Sequence, residues 1–391
     1  MEIIDKSSST INTSYFIKAI IKKTLAEGGS FAFWRKPQSN EKVLFVCNQG
    51  VTEHDELNLE ESEPGFVFAP FRPDGKKIFL RADLVFKFQG EEIIEGTELF
   101  NASFHSIEND DQKKKHVPYH LQRNTPGDVL PFTAIVTQAI AEIEMGSLEK
   151  VVPSRFKEIK VSENFDPLKA FESLCDKHPN ALVTLFSSPS TGTWLGASPE
   201  LLVSIDAQAK FRTNALAGTL PYSADINLKS VAWTQKEIEE QALVCRYIIN
   251  CFKKIRVREY LEHGPKTVVA GNVMHLKTDY EVDMKEINFP QLGSVMLKLL
   301  HPTSAVKLAI VAFVLQQKFH RSLERHSTYS RSRVEQFQHH RTQLRIIHFL
   351  HINFKVGAKV KQIPCLNSLW AMLIILAHPN LFKTTDDVSF H

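Results

Sequence analysis

The sequence predicts a protein that combines α-helices and β-strands around a large apolar core. Its 391 residues suffice for one large domain or two ordinary ones. Short segments rich in aromatic and β-branched residues, typical of strands, occur among segments whose apolar residues recur at helical spacing. The composition, 43% hydrophobic and 23% charged with a net charge of +3, is that of a soluble globular protein. It favours neither nucleic acid nor a membrane surface as a partner.

The first part of the chain, residues 1–124, predicts one helix followed by strands. The helix extends from Tyr15 to Leu25. The strand-like segments are "SFAFWRK", "KVLFVCNQ", "GFVFAPF" and "KKIFLRADLVFKF". A charged linker is expected at residues 108–118, and this part of the chain carries no chemical motif.

The middle of the chain predicts three helices and three strands. Apolar residues recur at helical spacing from Pro131 to Gly146, and Gly146 suits a helix C-cap. A second helix is predicted at "FDPLKAFESLCDKH", followed by strands at "ALVTLFSS", "TWLGAS" and "ELLVSIDA". The third helix extends from about Thr234 to Lys254, and Thr234 with Glu237 forms a capping-box pattern at its start.

Targeting and redox signals favour a cytoplasmic protein. The N-terminal "MEIIDKSSSTINTSYF" has no apolar signal core. The longest apolar runs, "LWAMLIILA" and "LAIVAFVL", are far shorter than the roughly 20 residues that span a bilayer. The five cysteines lack metal-binding spacing, which fits reduced thiols. We therefore expect a cytoplasmic monomer without membrane or nucleic-acid partners.

Two residues suit proton transfer. Lys150 opens the otherwise apolar run "KVVPSRF", where it either ends a strand in water or points inward as a proton-transfer group. Glu200 follows a Gly-Ala-Ser-Pro turn and enters an apolar segment, where a raised carboxyl pKa would suit a general acid. The alternative for Glu200 is a strand-edge carboxylate that faces solvent.

Two carboxylates suit a hard metal ion. Glu237 and Glu240 lie three residues apart on one helix face, which Val244 and Ile248 continue. Both carboxylates can therefore face the protein, where oxygen ligands separated by one helical turn suit Mg²⁺. The alternative is a solvated acidic first turn, which the helix dipole favours.

Three further residues suit an anionic ligand. Gly218 in "ALAGTLPY" would let backbone N–H groups approach such a ligand, and Thr219 could donate its hydroxyl. A plain Gly-Thr turn explains this pair equally well. His275 in "VMHLKTDY" is either a pocket residue or a hydrogen-bonded core histidine.

The order of these segments carries more information than any one of them. They are "KVVPSR", "LGASPELLV", "LAGT", "KEIEEQ", "HLKT" and "LLHPTSAV". In this order and at these intervals, residues 125–306 resemble the chorismate-utilising enzymes, and within them the isochorismate synthases. The resemblance implies a single large α+β domain, in which helices wrap an extended antiparallel β core. Residues 1–124 would form its N-terminal part and residues 125–306 its motif-bearing catalytic part.

The resemblance also implies a reaction. Isochorismate synthases use Mg²⁺ to hold the ring carboxylate of chorismate, add water at C2 and release the C4 hydroxyl. Their product supplies menaquinone or siderophore biosynthesis. The implied roles are general base for Lys150, general acid for Glu200, Mg²⁺ binding for Glu240 and Glu237, and substrate binding for Gly218, Thr219 and His275.

Two positions discriminate among relatives. Anthranilate synthases usually carry glutamine where this chain has Lys150, and aminodeoxychorismate synthases carry lysine where it has Ala217. Both positions favour addition of water rather than ammonia. Salicylate synthases also keep the lysine, so a salicylate synthase-like or anthranilate synthase-like enzyme stays an alternative.

The last segment, residues 307–391, differs from the rest. It holds 12 Lys and Arg against 4 Asp and Glu, one of 16 glycines, and 8 of 16 histidines. The Cys-Gly-x-Pro turn, the "YAGAG" loop and the Glu-Trp-x-Glu-Thr helix of the family are absent from it. We expect this segment to be foreign to the fold, either frameshifted or disordered. A catalytically defective derivative is therefore an alternative function.

Overall fold

The computed structural model describes residues 13–70, 75–96, 119–120, 132–146, 154–160, 165–301, 343–349 and 370–371. The helices within these residues are α1 (Thr13–Ala26), α2 (Phe132–Glu144), α3 (Pro167–Lys177), α4 (Gln235–Lys254), α5 (Met284–Ile287) and α6 (Leu292–Leu300), with a 3₁₀ turn at Leu228–Ser230. The strands are β1 (Ser30–Arg35), β2 (Glu41–Cys47), β3 (Thr52–His54), β4 (Gly65–Pro70), β5 (Lys77–Arg81), β6 (Leu84–Gln89), β7 (Glu92–Glu95), β8 (Ser154–Lys160), β9 (Leu182–Ser188), β10 (Gly192–Ser198), β11 (Ser204–Ile205), β12 (Lys210–Pro221), β13 (Leu261–Ala270), β14 (Val273–Asp283), β15 (Gln343–Phe349) and β16 (Trp370–Ala371).

The first sheet is antiparallel, with described strands in the order β10-β9-β1-β2-β6-β7. Every residue of its central strand β1 is buried, as the continuous run "SFAFWR" requires of a strand covered on both faces. Helices α1 and α3 cover one face, where the rings of Phe33 and Phe171 lie 4.4 Å apart. The core on this side therefore follows from aromatic residues that alternate with residues facing the opposite side.

The opposite face of the first sheet packs against a second sheet, with described strands in the order β16-β4-β5-β3. Trp34 of β1 lies 5.8 Å from Phe66 of β4, and Phe66 stacks on Phe186 of β9 at 5.2 Å between ring centroids. The two sheets thus enclose a second aromatic core.

A third sheet, in the order β11-β12-β14-β13, has α4 and α6 on one face. Val244 and Ile248 of α4 pack there with Phe211 of β12 and Tyr280 of β14. The opposite face carries ion pairs, two of which join Arg212 to Glu281 at 2.8 Å and Lys277 to Asp279 at 2.7 Å. This alternation of apolar and charged residues is typical of an antiparallel sheet covered by helices on one face.

Helix α6 joins the second and third sheets. Its Leu297 packs against Val67 and Ala69 of β4. Glu60 accepts the backbone N–H of Ser294 at 3.0 Å, and the Ser294 hydroxyl accepts the N–H of Leu59 at 2.8 Å. The first turn of α6 is therefore held by the loop between β3 and β4.

The structure confirms the α+β class and most predicted elements. The one clear correction concerns "ELLVSIDA", in which only Ser204–Ile205 is a strand. Before it, the Leu202 carbonyl accepts the Thr213 hydroxyl at 2.7 Å, so the chain contacts β12 through a side chain rather than through a backbone ladder.

Part of the C-terminal segment forms strands. Residues of β15 pair antiparallel with β8, and β16 pairs with β4 at the edge of the second sheet. The rest of residues 307–391 lies outside the described residues. No helix in the described part of the chain is long and apolar enough to cross a membrane.

Candidate active site

The site forms where strands β12 and β14 lose regular pairing. Ala217 pairs with Leu276 and Leu220 pairs with Met274, so Gly218 and Thr219 form a bulge between these rungs. Gly218 has a φ of +68°, which a residue with a side chain rarely adopts. A bulge in a long strand therefore replaces the plain Gly-Thr turn that was the alternative prediction.

His275 holds the bulge from one side. Its Nδ1 lies 2.9 Å from the Gly218 carbonyl oxygen and 3.2 Å from the Thr219 hydroxyl. Because a carbonyl only accepts, Nδ1 carries the hydrogen and donates it. The Thr219 hydroxyl shares that hydrogen as a second acceptor and keeps its own hydrogen for another partner. The structure thus brings His275 together with Gly218 and Thr219, and their role in substrate binding stays a prediction.

The start of α4 closes the bulge from the other side. A Cβ atom built on Gly218 would lie 3.1 Å from Glu237 Cβ, 3.3 Å from the Glu237 carbonyl oxygen and 3.5 Å from Cζ3 of Trp233. Glycine is therefore required at this position both by its φ and by the space available.

Both predicted metal-binding carboxylates are buried on α4, whose first turn lies against this bulge. Glu237 is 6% exposed and Glu240 is 4% exposed, on the same face of α4 as Val244 and Ile248. The solvated first turn is thus excluded. The helical spacing predicted that the two carboxylates share a face but left its orientation open, and the structure shows that this face is buried.

Glu237 keeps its charge despite burial. Burial alone would raise the pKa of its carboxyl, but the Thr234 hydroxyl, its own backbone N–H and Lys236 together lower the pKa below the ordinary value. Thr234 donates directly to the carboxylate, and Lys236 Nζ lies 3.5 Å from its other oxygen. The predicted capping box of Thr234 and Glu237 is therefore not formed, because the Thr234 side chain makes no hydrogen bond to a backbone N–H of the helix and donates to the Glu237 carboxylate instead.

Gln241 fastens α4 to both central strands beside Glu240. Its Nε2 donates to the Ala215 carbonyl of β12 at 3.2 Å and to the Thr278 hydroxyl of β14 at 3.0 Å. The Ala215 carbonyl fixes the orientation of the amide, because only the NH₂ group can satisfy it. The Gln241 Oε1 atom is buried without a hydrogen-bond partner among the described residues.

The comparison with known families now identifies the chain. The model of the family described as chorismate binding enzyme matches residues 71–307, more than half of the chain. The chain belongs to the chorismate-binding enzyme family. Its residues Glu237, Glu240, Gly218, Thr219 and His275 all lie within the matched range.

Two curated relatives are isochorismate synthases. The isochorismate synthase EntC of Escherichia coli K12 is 25% identical over 191 residues, which are 48% of this chain and 48% of that protein. EntC of Escherichia coli O157:H7 gives the same values. This chorismate-binding enzyme thus spans about half the length of the curated relatives it matches.

Two solved structures share the fold. One is described as a 2,3-dihydroxybenzoate-specific isochorismate synthase, DhbC, from Bacillus anthracis, with a TM-score of 0.53 and 19% identity over 75% of this chain and 80% of that one. The other is MenF, the menaquinone-specific isochorismate synthase of Escherichia coli, with a TM-score of 0.52 and 17% identity over 75% and 72%. At these identities they show the fold alone.

The described part of this chorismate-binding enzyme offers a divalent cation two carboxylates. No group of three or more His, Cys, Asp or Glu side chains that could hold a metal ion occurs among the described residues. Mg²⁺ in enzymes commonly takes only one or two carboxylates and completes its shell with water and substrate oxygens. The buried, ionised Glu237 and its helical neighbour Glu240 fit that requirement.

The two predicted proton-transfer residues are Lys150 and Glu200. Lys150 lies outside the described residues, and β8 begins four residues later at Ser154. Glu200 is half-buried between the end of β10 at Ser198 and the start of β11 at Ser204. The roles of Lys150 and Glu200 stay predictions.

Sequence reasoning missed one residue at the site. Trp233 precedes Thr234, and its indole N–H donates to the Thr267 hydroxyl of β13 at 3.0 Å. The available signal was a large aromatic residue directly before a predicted helix N-cap, where a hydrophobic staple is common.

Proposed function

We propose that this chain is a Mg²⁺-dependent isochorismate synthase, which converts chorismate to isochorismate. The observation that carries the proposal is the arrangement around Gly218. A strand bulge held by His275 lies directly against the buried face of α4 that presents Glu237 and Glu240. A cyclic dicarboxylate needs such a combination of anion contacts and metal-binding carboxylates.

Thr219 and the bulge backbone would contact a substrate carboxylate. The hydrogen of the Thr219 hydroxyl is not donated to His275, because Nδ1 of His275 itself carries a hydrogen. It can therefore be donated to a carboxylate oxygen, with the backbone N–H groups of the bulge nearby. His275 would orient Thr219 and Gly218 rather than transfer a proton.

Glu240 and Glu237 would hold the metal ion. Glu237 is already bound by Thr234 and Lys236, so we assign Glu240 the direct contact and Glu237 the supporting one. When bound, Mg²⁺ supplies positive charge that compensates the carboxylate of the substrate. Gln241 keeps Glu240 at the sheet by fastening α4 to β12 and β14.

Lys150 and Glu200 would transfer the protons. Lys150, as a neutral amine, takes a proton from the water whose oxygen forms the new bond at C2. The ring double bonds shift, and the C4 hydroxyl leaves as water with a proton from Glu200. One water is added and one released, so chorismate and isochorismate are isomers.

Residue identity at two positions favours water as the nucleophile. Lys150 stands where ammonia-using relatives carry glutamine. Ala217 is 2% exposed in β12, at a position where aminodeoxychorismate synthases carry lysine. A lysine there would place its amine among buried residues, and alanine leaves no such group. The product would feed reactions that consume isochorismate, such as those of menaquinone or siderophore biosynthesis.

A second candidate is a chorismate-binding protein without turnover. The family motifs that normally follow "HPTSAV" are absent from residues 307–391, among them a carboxylate helix that supplies the second metal ligand. A chain without that ligand would bind chorismate and Mg²⁺ more weakly and convert little substrate.

Product analysis tests the proposal. The purified full chain is incubated with chorismate and Mg²⁺, and the products are separated and quantified. Isochorismate is expected, with losses of about 10²–10⁴-fold for Lys150→Ala and Glu200→Gln. Bound but unconverted chorismate would favour the second candidate, and anthranilate or salicylate would replace the proposed reaction.

A pair of adjacent glutamates tests the metal site. Glu240 is buried, whereas Glu239 is exposed and accepts from Gln235 on the surface of α4. Glu240→Gln is expected to raise the Mg²⁺ concentration needed for half-maximal binding, measured by calorimetry. Glu239→Gln is expected to leave it unchanged. Equal behaviour of the two variants would remove Glu240 from the metal site.

A further inference from the structure

We propose that Trp233 is a positioning residue of the substrate site, where its indole fixes the Gly218–Thr219 bulge for the carboxylate of the substrate. This inference rests on the proposed function, since it concerns the same bulge. Trp233 lies outside the motifs that carry the family resemblance.

Trp233 is anchored at both ends. Its indole N–H donates to the Thr267 hydroxyl of β13 at 3.0 Å, and its main chain continues directly into Thr234 at the N-cap of α4. The side chain is half-buried. The hydrogen bond to Thr267 and the start of α4 restrict the two side-chain torsion angles of Trp233. Its indole ring is therefore a rigid group.

The indole ring lies against the bulge. The Cζ3 atom of Trp233 would be 3.5 Å from a Cβ on Gly218, an ordinary van der Waals distance. Glu237 fills the remaining space on this side of Gly218. The bulge therefore has a wall made of Trp233 and the first turn of α4.

Trp233 and the first turn of α4 lie on one side of the Gly218–Thr219 bulge, and His275 lies on the other side. Thr267, which anchors Trp233, pairs with Leu276, and Val268 next to it pairs with His275. Thr267, which anchors Trp233, and His275 therefore belong to adjacent residue pairs of the β13–β14 sheet pairing. If the indole moved, Gly218 could shift. Thr219 and the bulge backbone would then lose the position in which they contact the substrate carboxylate.

Displacements of this kind affect binding more than folding. A misplacement of about 1 Å in a substrate contact can reduce activity by up to about 100-fold. Losing one hydrogen bond is expected to have a smaller effect, roughly fivefold. If the indole only stabilised the fold, the KM for chorismate would not change.

Two conservative variants break the same hydrogen bond from opposite ends. Trp233→Phe keeps an aromatic ring but removes the N–H, and Thr267→Val removes the acceptor with little change of shape. Each is expected to raise the KM for chorismate by roughly fivefold, with a smaller change in kcat. The double variant is expected to match Trp233→Phe, because the hydrogen bond that Thr267→Val breaks is already absent there.

A matched control lies in the first sheet. Trp194 is also half-buried, and its indole N–H donates to the Thr191 carbonyl at 2.8 Å. Trp194→Phe removes a comparable hydrogen bond, and its KM is expected to equal that of the wild type. Thermal unfolding of all variants monitors the fold.

The outcomes separate the inference from the function on which it rests. A KM within twofold of wild type for folded Trp233→Phe and Thr267→Val would overturn the role of Trp233 alone. An equal rise in Trp194→Phe would overturn it as well, since a general loss of stability would then explain the effect. A wild-type chain that neither binds nor converts chorismate would overturn both proposals.

Discussion

The first and third sheets are both antiparallel, but they are built from different residues. The first sheet is covered on both faces, and the phenylalanine and tryptophan side chains of β1 and its neighbours fill both cores. The third sheet is covered by α4 and α6 on one face and carries ion pairs on the other. Its strand β12 has a bulge at Gly218 and small residues at Ala215 and Ala217.

This difference indicates that the first sheet serves mainly stability and the third sheet mainly function. Aromatic residues pack closely against both faces of the first sheet and stabilise it through many dispersion contacts. This packing leaves no polar space for a ligand. The regular pairing of the third sheet is interrupted at the bulge, where His275 and the start of α4 both contact Gly218. Substitutions in the first sheet should therefore change stability, and substitutions at the bulge should change binding.

The largest loss of stability is expected from Phe33→Ala. Phe33 is fully buried and contacts the rings of Phe88 and Phe171. The cavity left behind should lower the free energy of unfolding by about 4 kcal/mol, measured by urea denaturation. Ile94→Ala, at an exposed position of β7, should change it by about 0.5 kcal/mol or less. Similar losses of unfolding free energy in both variants would contradict the conclusion that the buried aromatic cores stabilise the first sheet.

The next largest loss is expected from Arg35→Met. Arg35 is 3% exposed, and its guanidinium donates to four backbone carbonyls, three of which belong to Cys175, His178 and Pro179 at the end of α3. Removing these donors should cost about 3 kcal/mol, because buried carbonyls lose their partners.

The control for Arg35 is Arg81→Met. Arg81 is half exposed and pairs with Glu63 at 3.5 Å. Its replacement should cost less than about 1 kcal/mol. Both losses are read from the same denaturation curves, and neither variant should change chorismate binding. If fully folded Arg35→Met bound chorismate more weakly than the wild type, the first sheet would also contribute to the geometry of the substrate site.

At the bulge, Gly218→Ala should affect binding more than stability. The φ of +68° costs an alanine about 1–2 kcal/mol, and the new methyl group would press on Glu237 at 3.1 Å. Gly146→Ala is the matched control, since Gly146 has a φ of +73° with nothing within 4 Å of a built Cβ.

Both glycine variants should lose stability through φ, and Gly218→Ala should lose somewhat more, because only its methyl group also presses on Glu237. Only Gly218→Ala should lose affinity for chorismate, measured by calorimetry. Unchanged affinity in Gly218→Ala would disconnect the bulge from the substrate site.

The smallest expected effect is a pH-dependent one at the start of α4. Because the folded-state pKa of Glu237 is lowered, its stabilising contribution is present above the unfolded pKa of about 4.3 and is lost as pH falls through the folded pKa. Thr234→Val removes a hydrogen bond to the charged form and should cost about 1 kcal/mol near neutral pH.

The difference between wild type and Thr234→Val should shrink in acid, where Glu237 is protonated in both proteins. Thr137→Val is the control, because the Thr137 hydroxyl donates to the Thr133 carbonyl and to no carboxylate. Its effect should be independent of pH. A cost of Thr234→Val that stays constant down to pH 3 would contradict the lowered pKa of Glu237.

The elements of the site were predictable where local spacing decides them. The helical period of α4 predicted that Glu237 and Glu240 share one face with Val244 and Ile248, and that face is buried. The sequence left open whether the face met the protein or solvent. The bulge was not predictable from "ALAGTLPY" alone, because it depends on the register of β12 against β14, which lies more than 50 residues further along the chain. The Trp233–Thr267 hydrogen bond is likewise a tertiary contact without a local pattern.

The catalytic assignments came from motif order rather than from local physics. Lys150 and Glu200 have strand-end and turn positions that a solvated residue fits equally well. Only the sequence of motifs around them implies proton transfer. The strands β15 and β16 have no such signal, since their pairing with β8 and β4 joins distant segments.

The measurement that tests the central claim most directly is the origin of the oxygen at C2. Chorismate is incubated with the full chain and Mg²⁺ in ¹⁸O-labelled water, and the product is analysed by mass spectrometry. The account predicts isochorismate that is 2 Da heavier, with the label at C2 and unlabelled water released from C4. Unlabelled product, or chorismate that stays unconverted in the presence of Mg²⁺, would contradict it.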